Sequence, residues 1–223
     1  EVSKKISIII PIYNEIGNID NLINEIAISL SLIDNIEYQI ICVDDCSDDG
    51  TTDHLKKLSK KNNQIVLIHN KKNEGQSKAI FNGVKKAKFD IIVTIDGDGQ
   101  NDPSDINNLL NEYISDNELK LVGGIRIKRK DNIIKILSSK IANNIRRMIL
   151  NDNCEDTGCS LKIFDKNIFL EFPFFNGIHR FLPALYIGFG YKTKFLPVNH
   201  RKRKFGVSKY GTFIRLIYGI VDI

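Results

Sequence analysis

Four short runs of β-branched and other apolar residues alternate with helix-length segments over the first hundred residues of the chain. The runs cover residues 6–10, 38–43, 65–69 and 91–95, and the first is followed by Pro11. Between them, apolar residues recur at helical spacing. Strands that alternate with helices of this length need right-handed crossovers, so the pattern predicts an α/β fold, a Rossmann-like, mainly parallel sheet flanked by helices.

Polar residues follow all four predicted strands. They are Asn14-Glu15, Asp44-Asp45, Asn73-Glu74 and Asp96-Gly97-Asp98. In an open α/β sheet, ligands bind beyond the carboxyl ends of the strands. The shared position of these residues predicts a functional site along one rim of the sheet.

Asp96 and Asp98 are the strongest candidates for chemistry on that rim. In extended backbone, residues i and i+2 point to the same side, so both carboxylates can converge on one hard cation. The alternative is an ordinary strand-to-loop turn, since Asp and Gly are common turn residues. The polar ends of the neighbouring strands favour the metal site.

The ligand of this rim is expected to be a nucleoside diphosphate. The sequence has neither the glycine fingerprint of dinucleotide-binding folds nor a P-loop. A diphosphate would therefore be held through a divalent cation on the Asp pair. Asp44 or Asp45 could accept hydrogen bonds from a base N–H or a ribose hydroxyl.

Positive charge is concentrated in two stretches of a chain whose formal charge is only +5. One stretch spans residues 120–147 and the other is Arg201-Lys202-Arg203-Lys204. The overall charge is too small to argue for nucleic-acid binding, whereas the local concentration suits phosphate groups or an anionic membrane face. A solvated surface is the alternative. The four cysteines lack CxxC spacing, which indicates a reduced chain without structural zinc.

The second half contains further candidates. Residues 119–123 form a fifth predicted strand with Arg126 just beyond it, and residues 132–150 form a basic amphipathic helix that lies either on the sheet or on a membrane. Asp156 adds a carboxylate suited to acid–base chemistry. His179 and Arg180 could meet an anion, and the apolar segment 213–223 is expected to begin an interfacial or transmembrane helix.

Six motifs in a fixed order carry a resemblance to a known family. They are Ile9-Ile10-Pro11-Ile12-Tyr13-Asn14-Glu15, Val43-Asp44-Asp45-Cys46-Ser47, Asn73-Glu74-Gly75-Gln76, Asp96-Gly97-Asp98-Gly99-Gln100, Asp156-Thr157-Gly158-Cys159 and Phe205-Gly206-Val207-Ser208-Lys209-Tyr210. From about residue 5 to 212 the chain resembles the family 2 glycosyltransferases of GT-A fold. Within them it is similar to the polyprenyl-phosphate branch, which includes dolichol-phosphate mannosyltransferase and undecaprenyl-phosphate sugar transferases.

The resemblance implies a role for each matching residue. The residues implied to bind the nucleotide sugar are Pro11, Tyr13, Glu15, Asp44, Asp45, Gln76, Asp96, Lys204 and Ser208. Those implied to hold Mg2+ or Mn2+ are Asp96, Asp98 and Gln100. The acceptor phosphate is assigned to Arg126, Lys135 and Ser139, to which His179 and Arg180 are added as candidates. The residues expected to be catalytic are Asp98, Asp156, Arg201 and Lys209.

The implied activity is inverting transfer of a sugar from a UDP- or GDP-sugar to a polyprenyl phosphate at the cytoplasmic face of the membrane. Residues 1–212 would form the catalytic domain, and a homo-oligomer is compatible with it. A lipid phosphate needs no general base, so Asp156 would position the sugar or acceptor; a saccharide hydroxyl would make Asp156 the base. A saccharide-directed transferase and a non-catalytic nucleotide-sugar-binding module are the alternatives.

The sequence departs from the family pattern at three of these positions. Lys135 stands where arginine is more familiar, which replaces a two-pronged donor by a point charge. Gly97 and Gly99 replace the commoner Ala and Leu. These glycines predict a more flexible turn around the unchanged carboxylates.

Overall fold

A computed structural model describes residues 4–127 and 154–205 of the chain. Its strands are β1 Lys4–Ile12, β2 Ile36–Asp44, β3 Ile65–His69, β4 Ile91–Thr94, β5 Leu119–Ile127, β6 Lys162–Asp165 and β7 Lys192–Asn199. Its helices are α1 Ile19–Ser31, α2 Thr51–Lys61, α3 Gln76–Lys86, α4 Asp105–Ser115, α5 Lys166–Glu171 and α6 Ile178–Gly188.

The described strands form one sheet in the order β3-β2-β1-β4-β6-β5-β7. β1 pairs in parallel with β2 and β4, β2 with β3, and β5 with β7. β6 is antiparallel to both of its neighbours, β4 and β5. The predicted α/β class and mainly parallel sheet are therefore confirmed, and the reversed strand is a feature that the sequence pattern did not indicate.

Both faces of the central strands are buried, which explains why those strands are apolar without alternation. Ile8 and Ile10 of β1 pack in a core with α1 and α4, whereas Ile9 packs on the opposite face with α3, α5 and α6. On α3, Ala79, Ile80 and Val84 are buried, as their helical spacing indicated.

β1 and β5 continue past the residues that were predicted to end them. Pro11 lies inside β1, where its missing N–H is tolerated because β4 pairs with β1 only as far as Ile9. β5 continues past its two glycines to Ile127 because β7 pairs along it. A Cβ on Gly124 would lie 2.7 Å from Val198 Cγ2, so the glycine permits close packing here and does not end the strand.

The predicted basic helix 132–150 and the apolar segment 213–223 lie outside the described residues. So do Lys135, Ser139, Ser208 and Lys209. Within 4–127 and 154–205, none of the helices has both the length and the apolar character needed to cross a bilayer.

Candidate active site

The loops after β1 and β2 are held together by polar contacts at the rim. The backbone N–H of Asn14 donates to Ser47 Oγ over 2.9 Å, and that of Glu15 donates to Thr51 Oγ1 over 3.2 Å. The Glu15 side chain is 6% exposed, and Asn18 Nδ2 donates to its Oε2 over 2.7 Å. These contacts hold the loop that follows β1. Pro11 and Tyr13 lie beside it, and the nucleoside pocket is predicted here.

Asp44 and Asp45 are buried and serve as acceptors for neighbouring loops. Asp44 Oδ1 accepts from Ser47 Oγ at 2.5 Å, and Oδ2 accepts from Thr52 Oγ1 at 2.6 Å and lies 2.8 Å from His69 Nδ1. Asp45 accepts from Asn70 Nδ2 and from the backbone N–H groups of Glu74 and Gly75. In this structure the two carboxylates hold the rim loops, and their contact with a base or ribose stays a prediction.

Asp96 and Asp98 follow β4 at the centre of the rim. Gln76 Nε2, at the start of α3, donates to Asp96 Oδ1 over 2.7 Å, and the Asp96 N–H donates to Ser160 Oγ. Burial and the negative charge of Asp98 raise the pKa of Asp96 to about 6. The pair is thus a site where negative charge is incompletely balanced, and a divalent cation would stabilise it.

The turn at residues 96–100, which we call the metal loop after the cation site predicted there, accounts for its glycines. Gly99 has φ = 71°, in the left-handed region that glycine favours. A Cβ on Gly97 would lie 3.2 Å from the Pro11 carbonyl oxygen. The glycines therefore match a defined turn, whereas the sequence alone suggested only flexibility.

Gln100 closes this loop. Its N–H donates to Asp98 Oδ1 over 3.1 Å, and its Nε2 donates to the Arg201 carbonyl over 3.3 Å. Across residues 4–127 and 154–205, no three His, Cys, Asp or Glu side chains are grouped to hold a metal ion by themselves. Asp96 and Asp98 offer the carboxylate oxygens that Mg2+ and Mn2+ prefer, and further oxygen ligands would come from a diphosphate, water or the Gln100 amide.

Asp156 contacts Arg126 of β5 at the part of the rim beyond β4. Arg126 Nε and Nη2 each donate to a different oxygen of Asp156 over 2.7 Å, and the Arg126 N–H donates to Oδ2 over 3.1 Å. A Cβ on Gly158 would lie 2.8 Å from Arg126 Nη2, so the glycine makes room for the guanidinium. A two-pronged pair of this kind favours a positioning role for Asp156 over that of a general base.

Lys162 is a buried cation that the sequence pattern did not single out. It is the first residue of β6, pairs with Thr94 of β4 and is 3% exposed. Its ammonium donates to the carbonyl oxygens of Thr157 and Cys159, and its charge opposes protonation of Asp96. Because β6 runs antiparallel, this lysine reaches the rim from the opposite direction, a placement that strand periodicity does not reveal.

His179 lies at the start of α6, close to the first turn of α3. Its Nδ1 is 2.7 Å from Ser77 Oγ, which also accepts the Gly177 N–H over 2.8 Å. The tautomer of the His179 ring decides which of these two groups donates in the contact. Burial, with Lys162 and Arg180 nearby, lowers the pKa of His179 to about 3. His179 is consequently a neutral group in a positive environment.

The segment after β7 crosses the rim next to the metal loop. The Arg201 N–H donates to the Gln100 carbonyl, while its guanidinium pairs with Glu25 at 2.5 Å and Asp102 at 2.7 Å. Arg203 instead pairs with Glu15 and lies 3.7 Å from Asp98 Oδ2. The sequence indicated Arg201 and Lys204 as site residues. In the structure Lys204 is exposed to solvent, and Arg203 is the residue that faces the carboxylate pair.

The arrangement is that of an α/β protein with polar and charged residues along one rim of its sheet, and the sequence matches a known family. The model of Glycosyl transferase family 2 matches residues 7–174. The chain therefore belongs to glycosyltransferase family 2.

One curated relative and two solved structures are similar to most of the chain. Undecaprenyl-phosphate 4-deoxy-4-formamido-L-arabinose transferase of Yersinia pestis is 31% identical over the full chain, which spans 67% of that protein. The structure of mannosyl-3-phosphoglycerate synthase of Rubrobacter xylanophilus superposes with a TM-score of 0.74 at 18% sequence identity. The match covers 98% of this chain and 72% of the synthase. Glucosyl-3-phosphoglycerate synthase of Mycobacterium tuberculosis, solved with Mn2+, UDP-glucose and phosphoglyceric acid, matches 90% of the chain and 73% of its own at 17% identity and a TM-score of 0.66. The two structures show that the fold is of the GT-A kind.

Proposed function

We propose that the protein is an inverting glycosyltransferase that moves a sugar from a UDP- or GDP-sugar to a polyprenyl phosphate. The observation that carries this proposal is the position of the Asp96–Asp98 pair, between the polar ends of β1 and β2 and the Arg126–Asp156 pair. One side of the pair suits a nucleotide and the other suits an anionic acceptor. The relative from Yersinia pestis, whose name gives undecaprenyl phosphate as its acceptor, supports the lipid class.

The donor diphosphate would be bound at the metal loop. Asp96 and Asp98 would hold Mg2+ or Mn2+, with Gln100 as a third candidate ligand, and the bound ion would stabilise negative charge on the leaving nucleoside diphosphate. Arg203, beside Asp98 and Glu15, would face the same phosphates. Lys204, Ser208 and Lys209 continue that segment and are proposed to contribute to it.

The acceptor side needs to orient an anion and does not need to deprotonate it. A phosphate monoester oxygen already carries negative charge, so its attack on the sugar C1 requires no general base. Asp156, with both oxygens engaged by Arg126, would hold that arginine in place for the acceptor phosphate. His179, Arg180, Lys135 and Ser139 complete the proposed acceptor group.

The catalytic domain would cover residues 1–212 and act at the cytoplasmic face of the membrane, where a polyprenyl phosphate is available. The basic segment 120–147 and the apolar segment 213–223 support a membrane location by their composition.

A transfer assay tests the proposal. The full chain is incubated with Mn2+ or Mg2+, a panel of radiolabelled UDP- and GDP-sugars and undecaprenyl phosphate, and lipids are then extracted. Label is expected in the organic phase only when both the metal and the lipid phosphate are present. Parallel reactions contain EDTA, undecaprenol without its phosphate, or a saccharide acceptor. Transfer to the saccharide alone would support the second transferase class, and no transfer with any donor would overturn the proposal.

A further inference from the structure

Two adjacent phenylalanines are exposed at the tip of the loop between α5 and α6. Phe174 and Phe175 are 36% and 37% exposed, whereas Phe172 at the start of the same loop is buried. The loop sequence, Phe172-Pro173-Phe174-Phe175-Asn176-Gly177, contains no charged residue. Two neighbouring, partly exposed aromatic side chains form an apolar patch of the kind that marks interaction sites.

Two lysines of α3 lie over Phe174 and its neighbour Phe81. The Lys78 ammonium lies 4.7 Å from the centre of the Phe174 ring and 5.5 Å from that of Phe81, and Lys85 lies 5.7 Å from the Phe81 ring. The Phe81 and Phe174 rings are 5.1 Å apart. α3 carries no acidic residue. The centres of the Phe175 and Phe181 rings are 5.8 Å apart. We call Phe81, Phe174, Phe175, Phe181, Lys78 and Lys85 the phenylalanine–lysine surface.

This surface adjoins the active site through consecutive residues of α3. Gln76 donates to the metal-loop carboxylate of Asp96, Ser77 contacts His179, and Lys78 covers Phe174. The Gly177 N–H also donates to Ser77 Oγ, which ties the phenylalanine loop to the rim. A ligand that runs from the proposed acceptor site toward the surface would therefore pass the exposed rings.

We infer that the phenylalanine–lysine surface docks the enzyme on an anionic lipid bilayer. Exposed phenylalanines enter the boundary between headgroups and acyl chains, and lysines beside them are attracted to anionic headgroups. The inference rests on the proposed function, since docking here would bring a membrane-embedded acceptor phosphate to the rim. The absence of acidic side chains from the loop tip and from α3 matches a negatively charged surface.

Vesicle binding by the full chain tests the inference. Phe174→Ser/Phe175→Ser is compared with Ile28→Ser/Leu32→Ser, which removes two exposed apolar side chains from the far end of α1. Burying a third of two phenylalanine side chains contributes enough to expect at least about a tenfold loss of binding to phosphatidylglycerol-containing vesicles. The control should bind like the parent. Lys78→Gln/Lys85→Gln should weaken binding to anionic vesicles severalfold and leave binding to neutral phosphatidylcholine vesicles unchanged.

A tryptophan probe keeps the inference testable if the serine variant does not fold. The chain has no tryptophan, so Phe175→Trp gives a single emitter. Its emission should shift to the blue on anionic vesicles and be quenched by brominated lipids, whereas Leu32→Trp should show neither change. Absence of quenching at residue 175, or equal binding by both serine variants, would overturn the inference. So would loss of self-association in Phe174→Ser/Phe175→Ser with unchanged vesicle binding, since the surface would then join two copies of the chain.

The two proposals fail in different ways. Quenching at residue 175 without sugar transfer to any acceptor would leave the docking surface standing and remove the proposed function. Transfer to detergent-dispersed undecaprenyl phosphate without quenching would support the proposed function and remove the docking surface.

Discussion

The proposed nucleotide side and the proposed acceptor side of the rim balance their buried acids in different ways. On the nucleotide side, Asp45 is held by an amide side chain and two backbone N–H groups. On the acceptor side, Asp156 is held by the charged fork of Arg126. Among the residues that the structure describes, the Asp96–Asp98 pair between them has neither a complete set of donors nor a close two-pronged cation. The difference indicates that Asp45 stabilises the fold, Asp156 fixes a cation, and the central pair retains negative charge for a ligand.

The largest effect is expected at the central pair. Asp98→Ala should lower transfer by at least about a thousandfold, because it removes a proposed metal ligand whose stabilisation of the leaving group is large. The melting temperature should change little, since Asp98 accepts from its own loop at Gln100. Activity, Mn2+ binding and thermal unfolding are measured together. Asp53→Ala, an exposed acid on α2, is the control. If Asp98→Ala does not fold, Asp98 would instead be assigned a structural role.

The next largest effect is expected at Asp156. Asp156→Asn should lower transfer about a hundredfold and stability by about 2 kcal/mol, because it removes the charge that both Arg126 donors face. If Asp156 positions Arg126, the KM for the lipid phosphate rises and the pH profile of kcat keeps its shape. Loss of the ascending limb of that profile would instead identify Asp156 as a general base.

On the nucleotide side the expected change is in stability. Asp45→Ala should lower the free energy of unfolding by about 2 kcal/mol, because three donors in the segment between β3 and α3 lose their buried acceptor. Urea unfolding measures this value. A stable Asp45→Ala variant with a raised KM for the nucleotide sugar would assign Asp45 to the ligand rather than to the fold.

A pH dependence is expected from His179. Its pKa is about 3 in the folded protein, below its unfolded value of about 6.5. The unfolded chain therefore binds more protons between these values, and stability falls as pH is lowered below about 6.5, by at most about 1.4 kcal/mol per pH unit. Urea unfolding from pH 7 to pH 5 should show a smaller fall for His179→Gln. An NMR titration of the ring in that range would contradict the buried, neutral state.

The smallest effect is expected at the metal loop's glycine. Gly99→Ala should cost about 1 kcal/mol, because alanine is strained at φ = 71° although its Cβ would meet no atom within 4 Å. Gly188→Ala, at the end of α6 and equally open, is the matched control and should be neutral. Equal stability of the two variants would show that the loop backbone adjusts to the alanine. The turn would then be flexible, as the sequence predicted.

Much of the fold followed from local patterns, and less of the site did. The inner face of α3 and the span of β3 agree with the prediction because periodicity records which side of an element is buried. The length of β5 was wrong because its glycines look like breakers until β7 is packed beside them. Arg201 and Arg203 have the same charge and lie two residues apart, so no local pattern could tell which one faces Glu15, 188 positions away.

The sequence by itself determined the alternation of strands and helices, the polar ends of four strands and the Asp96–Asp98 pair, since each depends on residues close together in the chain. Tertiary structure decided which charges meet. The reversed direction of β6 brings Lys162 to the rim, the packing of the loop before it sets Asp156 against Arg126, and the segment after β7 carries Arg203 to Glu15. Asp156 and Arg126 are 30 residues apart and Arg203 and Glu15 are 188 apart, so only the closing of the sheet places each pair within hydrogen-bond distance.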